Sequence, residues 1–172
     1  MSRSSPKKRA RASSKKTAEN GSFLEISEPE IAAWAAGFAR GLGPRHRVLL
    51  EGPLGAGKST LARALLAALG VDASHAGSPT FGIVHEYEVG GRTVAAHADF
   101  YRMRSEDELI ETGLESLFWE RDVLVLAEWV SLFPEFEASL ERGAGDRVLW
   151  RIQLEFVDGD PARRKLSVRK LG

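Results

Sequence analysis

The run Gly52-Pro-Leu-Gly-Ala-Gly-Lys-Ser59 has the spacing G-x-x-x-x-G-K-[ST]. This is the pattern of a loop whose backbone amides cradle phosphate groups. Each residue type has a task in that chemistry. Glycines at Gly52, Gly55 and Gly57 free the backbone to turn successive N–H groups toward an anion. Lys58 carries a point charge suited to the outer phosphates, and the Ser59 hydroxyl suits the oxygen shell of a magnesium ion. Gly52, Gly55, Gly57, Lys58 and Ser59 therefore point to a bound nucleoside triphosphate, with Mg²⁺ as the expected metal. Two acids follow later in the chain. Asp99 ends a run of alternating residues, and Glu128 ends the apolar run Val123-Leu-Val-Leu-Ala127. A carboxylate at the end of a buried strand can hold the magnesium ion over the phosphates. Because its apolar run is the cleaner of the two, Glu128 is read as the metal acid. Asp99 is then the group that orients or polarises the attacking water. Their joint membership of the site is firmer than this division, which stays open here. A third candidate is Thr80 in Ser78-Pro-Thr-Phe81, a hydroxyl on a stretch that Pro79 stiffens. It stands one loop after the phosphate-binding segment, where switch residues of nucleotidases meet the metal and terminal phosphate.

These residues need a scaffold, and the chain supplies its parts in order. Phe23–Ile26 reads as a short strand. Ser27, Pro29 and Glu30 form a helix-start signature for a helix over about 28 to 41, with Ile31, Trp34, Ala35, Phe38 and Leu42 on one stripe. Trp34 is read as core in preference to a stacking role against the adenine. Arg47–Glu51 reads as the strand feeding the phosphate loop and Leu61–Leu69 as the helix leaving it. Residues 82 to 89 and 92 to 98 alternate on either side of Gly90-Gly91 and predict a β-hairpin. His85 and His97 fall in its arms with no partner at metal-ligand spacing, so both read as hydrogen-bonded structural histidines. Ser105–Glu108 offers a cap for a short helix ending near Thr112, which leaves Asp99 free for chemistry. Leu114–Trp119 is a second apolar segment. Arg147–Phe156 and Arg163–Leu171 predict two strands joined by a turn at Asp158–Pro161, an antiparallel addition to the sheet. Arg163 or Arg164 could lie over the base or phosphates, and surface solvation is the preferred reading. The expected architecture is α/β: a P-loop NTPase fold with a mixed, largely parallel sheet flanked by helices and an antiparallel C-terminal strand pair.

Composition limits the alternatives. The 172 residues carry 24 basic and 24 acidic side chains, yet residues 1 to 22 hold seven Lys or Arg against the single acid Glu19. That segment lacks a large apolar residue after Met1 and is expected to be a disordered basic tail, with residues 23 to 172 forming one ATPase domain. Its Pro6-Lys-Lys-Arg-Ala-Arg11 run resembles a nuclear signal or nucleic-acid contact, and an ordinary solvated tail is the preferred reading. With no cysteine, disulfides and thiol chemistry are excluded. The longest apolar run, Ile31–Ala39, is too short to cross a bilayer, so a cytoplasmic protein without membrane attachment is expected.

Four motifs in this order resemble those of the TsaE family, the bacterial ATPases of tRNA threonylcarbamoyladenosine synthesis. They are Gly52–Thr60, Ser78–Phe81, the His-x-Asp-x-Tyr-Arg run at His97–Arg102, and Glu128-Trp129. The resemblance covers about residues 23 to 170. It implies Mg²⁺-dependent ATP hydrolysis that resets a TsaB–TsaD transferase pair, with tRNA reached indirectly through that complex. By matching positions it implies Gly55, Ala56, Gly57, Lys58, Ser59 and Thr60 at the phosphates of ATP, Ser59 and Glu128 at the metal, Asp99, Lys58 and Thr80 in the hydrolysis step, and Trp129 packed beside the site. One position departs: Ile31 stands where the family often has a threonine near the nucleotide. Three other classes make demands of their own. A small-molecule kinase would need an arginine-rich lid, and the segment after the phosphate loop holds only a hairpin and an acidic helix. A GTP switch would need an Asn-Lys-x-Asp run, which is lacking. A binding module without chemistry would follow if Asp99 and Glu128 did not converge. No arginine is obviously fixed beside the phosphates, so low turnover in isolation is expected.

Overall fold

The computed structural model describes residues 23–72, 83–143 and 145–171. The basic tail and the Ser78–Phe81 motif, with Thr80, lie outside the described residues. The elements run β1 (Leu24–Ser27), α1 (Glu28–Ala39), β2 (His46–Glu51), α2 (Lys58–Ala68), β3 (Val84–Val89) and β4 (Arg92–Asp99). Then come α3 (Asp107–Glu111), α4 (Leu114–Trp119), β5 (Leu124–Glu128), α5 (Pro134–Arg142), β6 (Val148–Val157) and β7 (Asp160–Leu171). Short 3-10 turns at Phe100–Arg102 and Val130–Leu132 follow β4 and β5.

The strands form one sheet of seven in the order β1-β7-β6-β2-β5-β4-β3. Its centre, β6-β2-β5-β4, is parallel. The edges are antiparallel: the β3–β4 hairpin on one side, and β6–β7–β1 on the other. The expected mixed α/β P-loop architecture is thus the one observed. Gly90 and Gly91 both take positive φ, 60° and 75°, the conformation that lets a two-residue turn follow the twist of its strands. The pairing of β7 with β1 joins the two ends of the described chain, a contact that local patterns do not announce.

Alternation sends successive strand residues to opposite faces, and a helix layer covers each. On one face Val48 and Leu50 of β2, Leu124 and Leu126 of β5, and Ile152 and Leu154 of β6 pack against α1 and α2. Ile31, Ala35, Leu61 and Leu65 are the helix residues of this core, with Trp34 packed at its margin. On the other face Leu49, Val125 and Ala127 meet α3, α4 and α5 through Leu109, Phe118, Phe136 and Leu140. Helix α5 was not anticipated. Pro134 in its first turn sets its start, and Phe136 and Leu140, four apart, bury one stripe.

Arg47 is the unusual core member, 2% exposed. Its guanidinium donates to the carbonyls of Leu117, Phe118, Arg121 and Val123 at 2.7 to 3.2 Å. These carbonyls end α4 and lead into β5, so one cation satisfies acceptors that the helix leaves open. Burial, with Arg147 nearby, lowers its pKa to about 10. No described helix is long and apolar enough to cross a membrane.

Candidate active site

The parallel register places the site. Strand β2 ends at Glu51 and the chain turns at once into the phosphate loop, with α2 starting at Lys58. Gly52 has φ 139°, and a Cβ on it would lie 2.2 Å from the Leu154 carbonyl oxygen, so only glycine lets the loop leave the sheet there. Gly57, at φ 103°, stands immediately before α2 and turns the helix N-terminus into the loop.

On β5 the even-numbered residues face α2, and Glu128 continues that series at the strand end. In parallel register beside it stands Asp99, the last residue of β4. His97, two residues earlier on β4, points the same way. The result is a compact cluster. Ser59 Oγ donates to Glu128 Oε2 at 3.0 Å, and His97 Nε2 lies 2.9 Å from Glu128 Oε1. His97 is 1% exposed, and its Nδ1 has no hydrogen-bond partner, so Glu128 is the polar group that holds the ring. The structural reading of His97 stands, and its partner is the acid at the site.

Lys58 is also buried. Its Nζ donates to the carbonyls of Gly52 and Pro53 at 2.7 and 3.0 Å and lies 3.6 Å from the centre of the Trp129 ring. Burial pushes its pKa down, opposed by the negative charges of Glu128, Glu51 and Asp99. Trp129 itself has φ 65° and is the one non-glycine with positive φ among the described residues. A bulky side chain in that region is strained, and the residue that bears it is the one whose indole lies over Lys58. The Tyr101 ring lies 5.0 Å from the indole. Downstream, Ser131 gives its N–H and hydroxyl to the buried carboxylate of Glu51 at 3.1 and 2.6 Å. Glu51 thereby ties the start of the phosphate loop to the turn that carries Trp129. Burial raises the pKa of Glu51, which the Ser131 bonds only partly offset.

An open cleft of ≈390 Å³ is lined by Gly55, Gly57, Lys58, Ser59, Thr60, Asp99, Glu128 and Trp129 among others. That size suits a small organic ligand. Of the phosphate-loop candidates Ala56 stands apart. It is fully buried, its amide donates to Pro53 and its carbonyl accepts from Arg164. Asp99 needs a correction. The Ser105–Glu108 cap was expected to leave it free, but Asp99 Oδ1 accepts the Tyr101 N–H at 3.0 Å and caps the 3-10 turn that follows β4. Helix α3 starts at Asp107 without a side-chain cap on its first turn. Asp99 lines the cleft with this capping bond in place. Arg102, which follows in the same turn, lines the cleft too, so a cation does stand beside the candidate phosphate site. Arg164 is a second correction. It is half-buried against the phosphate loop instead of solvated. Ile31 is 3% exposed and packs in the core.

An all-oxygen donor set of Ser59 Oγ and Glu128 Oε2, 3.0 Å apart beside a second carboxylate, matches the preference of magnesium for hard oxygen ligands. Among the described residues no group of three or more His, Cys, Asp or Glu is arranged to hold a metal ion.

Residues 26–163 match the family model described as threonylcarbamoyl adenosine biosynthesis protein TsaE. The chain belongs to the TsaE family. A tRNA threonylcarbamoyladenosine biosynthesis protein TsaE of Rickettsia bellii is 32% identical over 143 residues, covering 80% of this chain and 97% of the relative. The Bacillus subtilis TsaE is 40% identical over 105 residues, 61% of each chain. The crystal structure of Bacillus subtilis YdiB superposes with a TM-score of 0.61 at 26% identity, covering 88% of this chain and 87% of that one. The TsaE match spans the phosphate loop, the His97–Arg102 run and Glu128-Trp129, the segments that build the cleft.

Proposed function

We propose that this chain binds ATP with Mg²⁺ in the cleft above the phosphate loop and hydrolyses it. We further propose that the hydrolysis serves tRNA threonylcarbamoyladenosine formation in the cytoplasm by resetting a TsaB–TsaD transferase pair. The observation that carries the reading is the meeting of Ser59 and Glu128 at 3.0 Å, with Lys58 and Asp99 lining the same cleft. This is the arrangement a metal-assisted phosphate cleavage requires.

In this reading the amides of Gly55 and of Gly57 to Thr60, with the α2 N-terminus, receive the phosphates, and Lys58 supplies a fixed positive charge, while the Ala56 amide stays on Pro53. Ser59 and Glu128 hold the magnesium ion, and His97 fixes the free rotation of the Glu128 carboxylate through Oε1. Bound magnesium supplies charge neutralisation at the phosphate oxygens. Asp99 accepts a hydrogen bond from the attacking water and so orients it, while Trp129 and Tyr101 form a wall that limits water entry. Thr80 is assigned to the same hydrolysis step. Residues 23 to 172 act as one domain.

The test is complementation. A bacterium depleted of its own TsaE should regain threonylcarbamoyladenosine in its tRNA, read by mass spectrometry, on expressing this chain. It should not regain it on expressing Lys58→Ala. Equal recovery with Lys58→Ala would overturn the assignment of ATP chemistry to this cleft. No recovery with the well-expressed native chain would count against the tRNA-modification role.

A further inference from the structure

We propose that Glu51 and Ser131 are positioning residues for the hydrolysis, their contact holding the Trp129 indole over Lys58. The proposal rests on the phosphate-loop reading above and extends it to two residues that do not line the cleft.

Alternation along β2 sends Arg47, Leu49 and Glu51 to the face covered by α3 to α5. Glu51 is 5% exposed, at the point where β2 turns into the phosphate loop. Its two carboxylate oxygens accept from one residue, the Ser131 N–H at 3.1 Å and the Ser131 hydroxyl at 2.6 Å. The Arg151 guanidinium, whose charge reaches Glu51, donates to Glu137 and Glu141. A buried carboxylate met by serine donors in place of a cation costs the fold free energy. Stability alone does not call for an acid at this position.

What the contact holds is the strained residue. Trp129 sits at φ 65°, and a conformation of that kind persists only where its surroundings over-determine it. On one side stands Glu128, held by Ser59 and His97. On the other, Val130 is fully buried in the core under α3 to α5, and Ser131 is fastened to Glu51. The indole so placed lies 3.6 Å from Lys58 Nζ, which also donates to the carbonyls of Gly52 and Pro53. Two carbonyls and a π-face match the three N–H directions of an ammonium. Gly52 follows Glu51 directly, so the contacts close a ring: Glu51 holds Ser131, the turn carries Trp129, and Trp129 covers the lysine bonded to Gly52. Without the Ser131 contact the turn is free to relax. Lys58 then keeps its charge and loses its cover and fixed direction. Phosphate affinity changes little, and the chemical step slows, because a small misplacement of a catalytic group is felt in the rate.

The experiment measures ATP affinity and single-turnover MgATP hydrolysis on the native chain, Ser131→Ala, Ser131→Thr, Trp129→Ala and the Ser131→Ala, Trp129→Ala double variant. Ser131→Ala leaves the Glu51 charge and its bond from the Ser131 backbone in place. Its rate should fall about tenfold, with ATP affinity within about twofold of native. Ser131→Thr keeps the hydroxyl and should recover the rate. In the Trp129→Ala background, Ser131→Ala should add no further loss, a non-additivity that a merely structural role would not produce. A native rate in Ser131→Ala or in Trp129→Ala would overturn the positioning role. So would additive losses in the double variant, because Ser131 would then act on something other than the indole. Should Ser131→Ala unfold, Glu51→Gln makes the same comparison, since its amide has one acceptor oxygen for the two Ser131 donors. A native chain that binds ATP without hydrolysing it would bring down the hydrolysis reading, and the positioning role with it.

Discussion

Ser59 and Glu128, 69 residues apart in sequence, meet through a 3.0 Å hydrogen bond from the serine hydroxyl to the carboxylate. The other carboxylate oxygen is held by His97 at 2.9 Å. One side chain comes from the first turn of a helix, the second from a strand end, and the third from the neighbouring strand in parallel register. The phosphate loop and the acid are therefore tied to each other directly across the sheet.

Glu128→Gln keeps the shape of this contact and removes its charge. The magnesium-dependent strengthening of ATP binding should then fall by about 2 kcal/mol, with metal-free binding retained. Titrations with magnesium and with a chelator measure both. A magnesium dependence equal to that of the native chain would show that the metal sits elsewhere.

Asp99 carries two functions that substitutions can separate. Asn keeps an oxygen for the Tyr101 N–H, so Asp99→Asn should fold normally, bind ATP and lose hydrolysis. Asp99→Ala loses the cap as well and should be less stable by about 1 kcal/mol. Single-turnover hydrolysis and urea unfolding distinguish the two. Native turnover in Asp99→Asn would remove Asp99 from the chemistry.

Glu51 gives the fold a pH signature. Its pKa is raised in the folded state above the ordinary 4.5 by burial. The native state then holds this proton more tightly than the unfolded chain does. The stability this contributes is fully present below about 4.5 and is lost as pH rises through the higher folded value. Glu51→Gln should lack this loss, so its stability relative to the native chain should improve with pH across that window. Urea unfolding at several pH values checks the sign. A parallel pH dependence in both proteins would contradict it.

Arg47→Met replaces a buried donor set with an apolar chain of similar length. Four carbonyls at the end of α4 and the entry to β5 lose their partner, which should cost about 3 kcal/mol of stability. Urea unfolding measures it, and a loss well under 1 kcal/mol would show that water or backbone groups replace the guanidinium.

Local signals carried much of this molecule. The glycine and lysine spacing marked the phosphate loop, the apolar run marked Glu128, and Gly90-Gly91 marked the hairpin. What local patterns did not carry depends on distant partners. Arg47 reads as a surface cation until the end of α4 is known to lie over it. Arg164 reads the same way until β7 folds back beside the phosphate loop. Asp99 reads as free because Ser105–Glu108 offers the next helix its own cap, whereas the 3-10 turn that Asp99 does cap has no periodic signature. The contact of His97 with Glu128 depends on a strand register that neither strand specifies alone.

The most direct test of the central claim is ATP hydrolysis by the purified chain, alone and with an added TsaB–TsaD pair, with Lys58→Ala as the control. The account predicts magnesium-dependent turnover that changes when the pair is present and vanishes in Lys58→Ala. Turnover indifferent to the pair would contradict the proposed role. Turnover surviving in Lys58→Ala would contradict the proposed site.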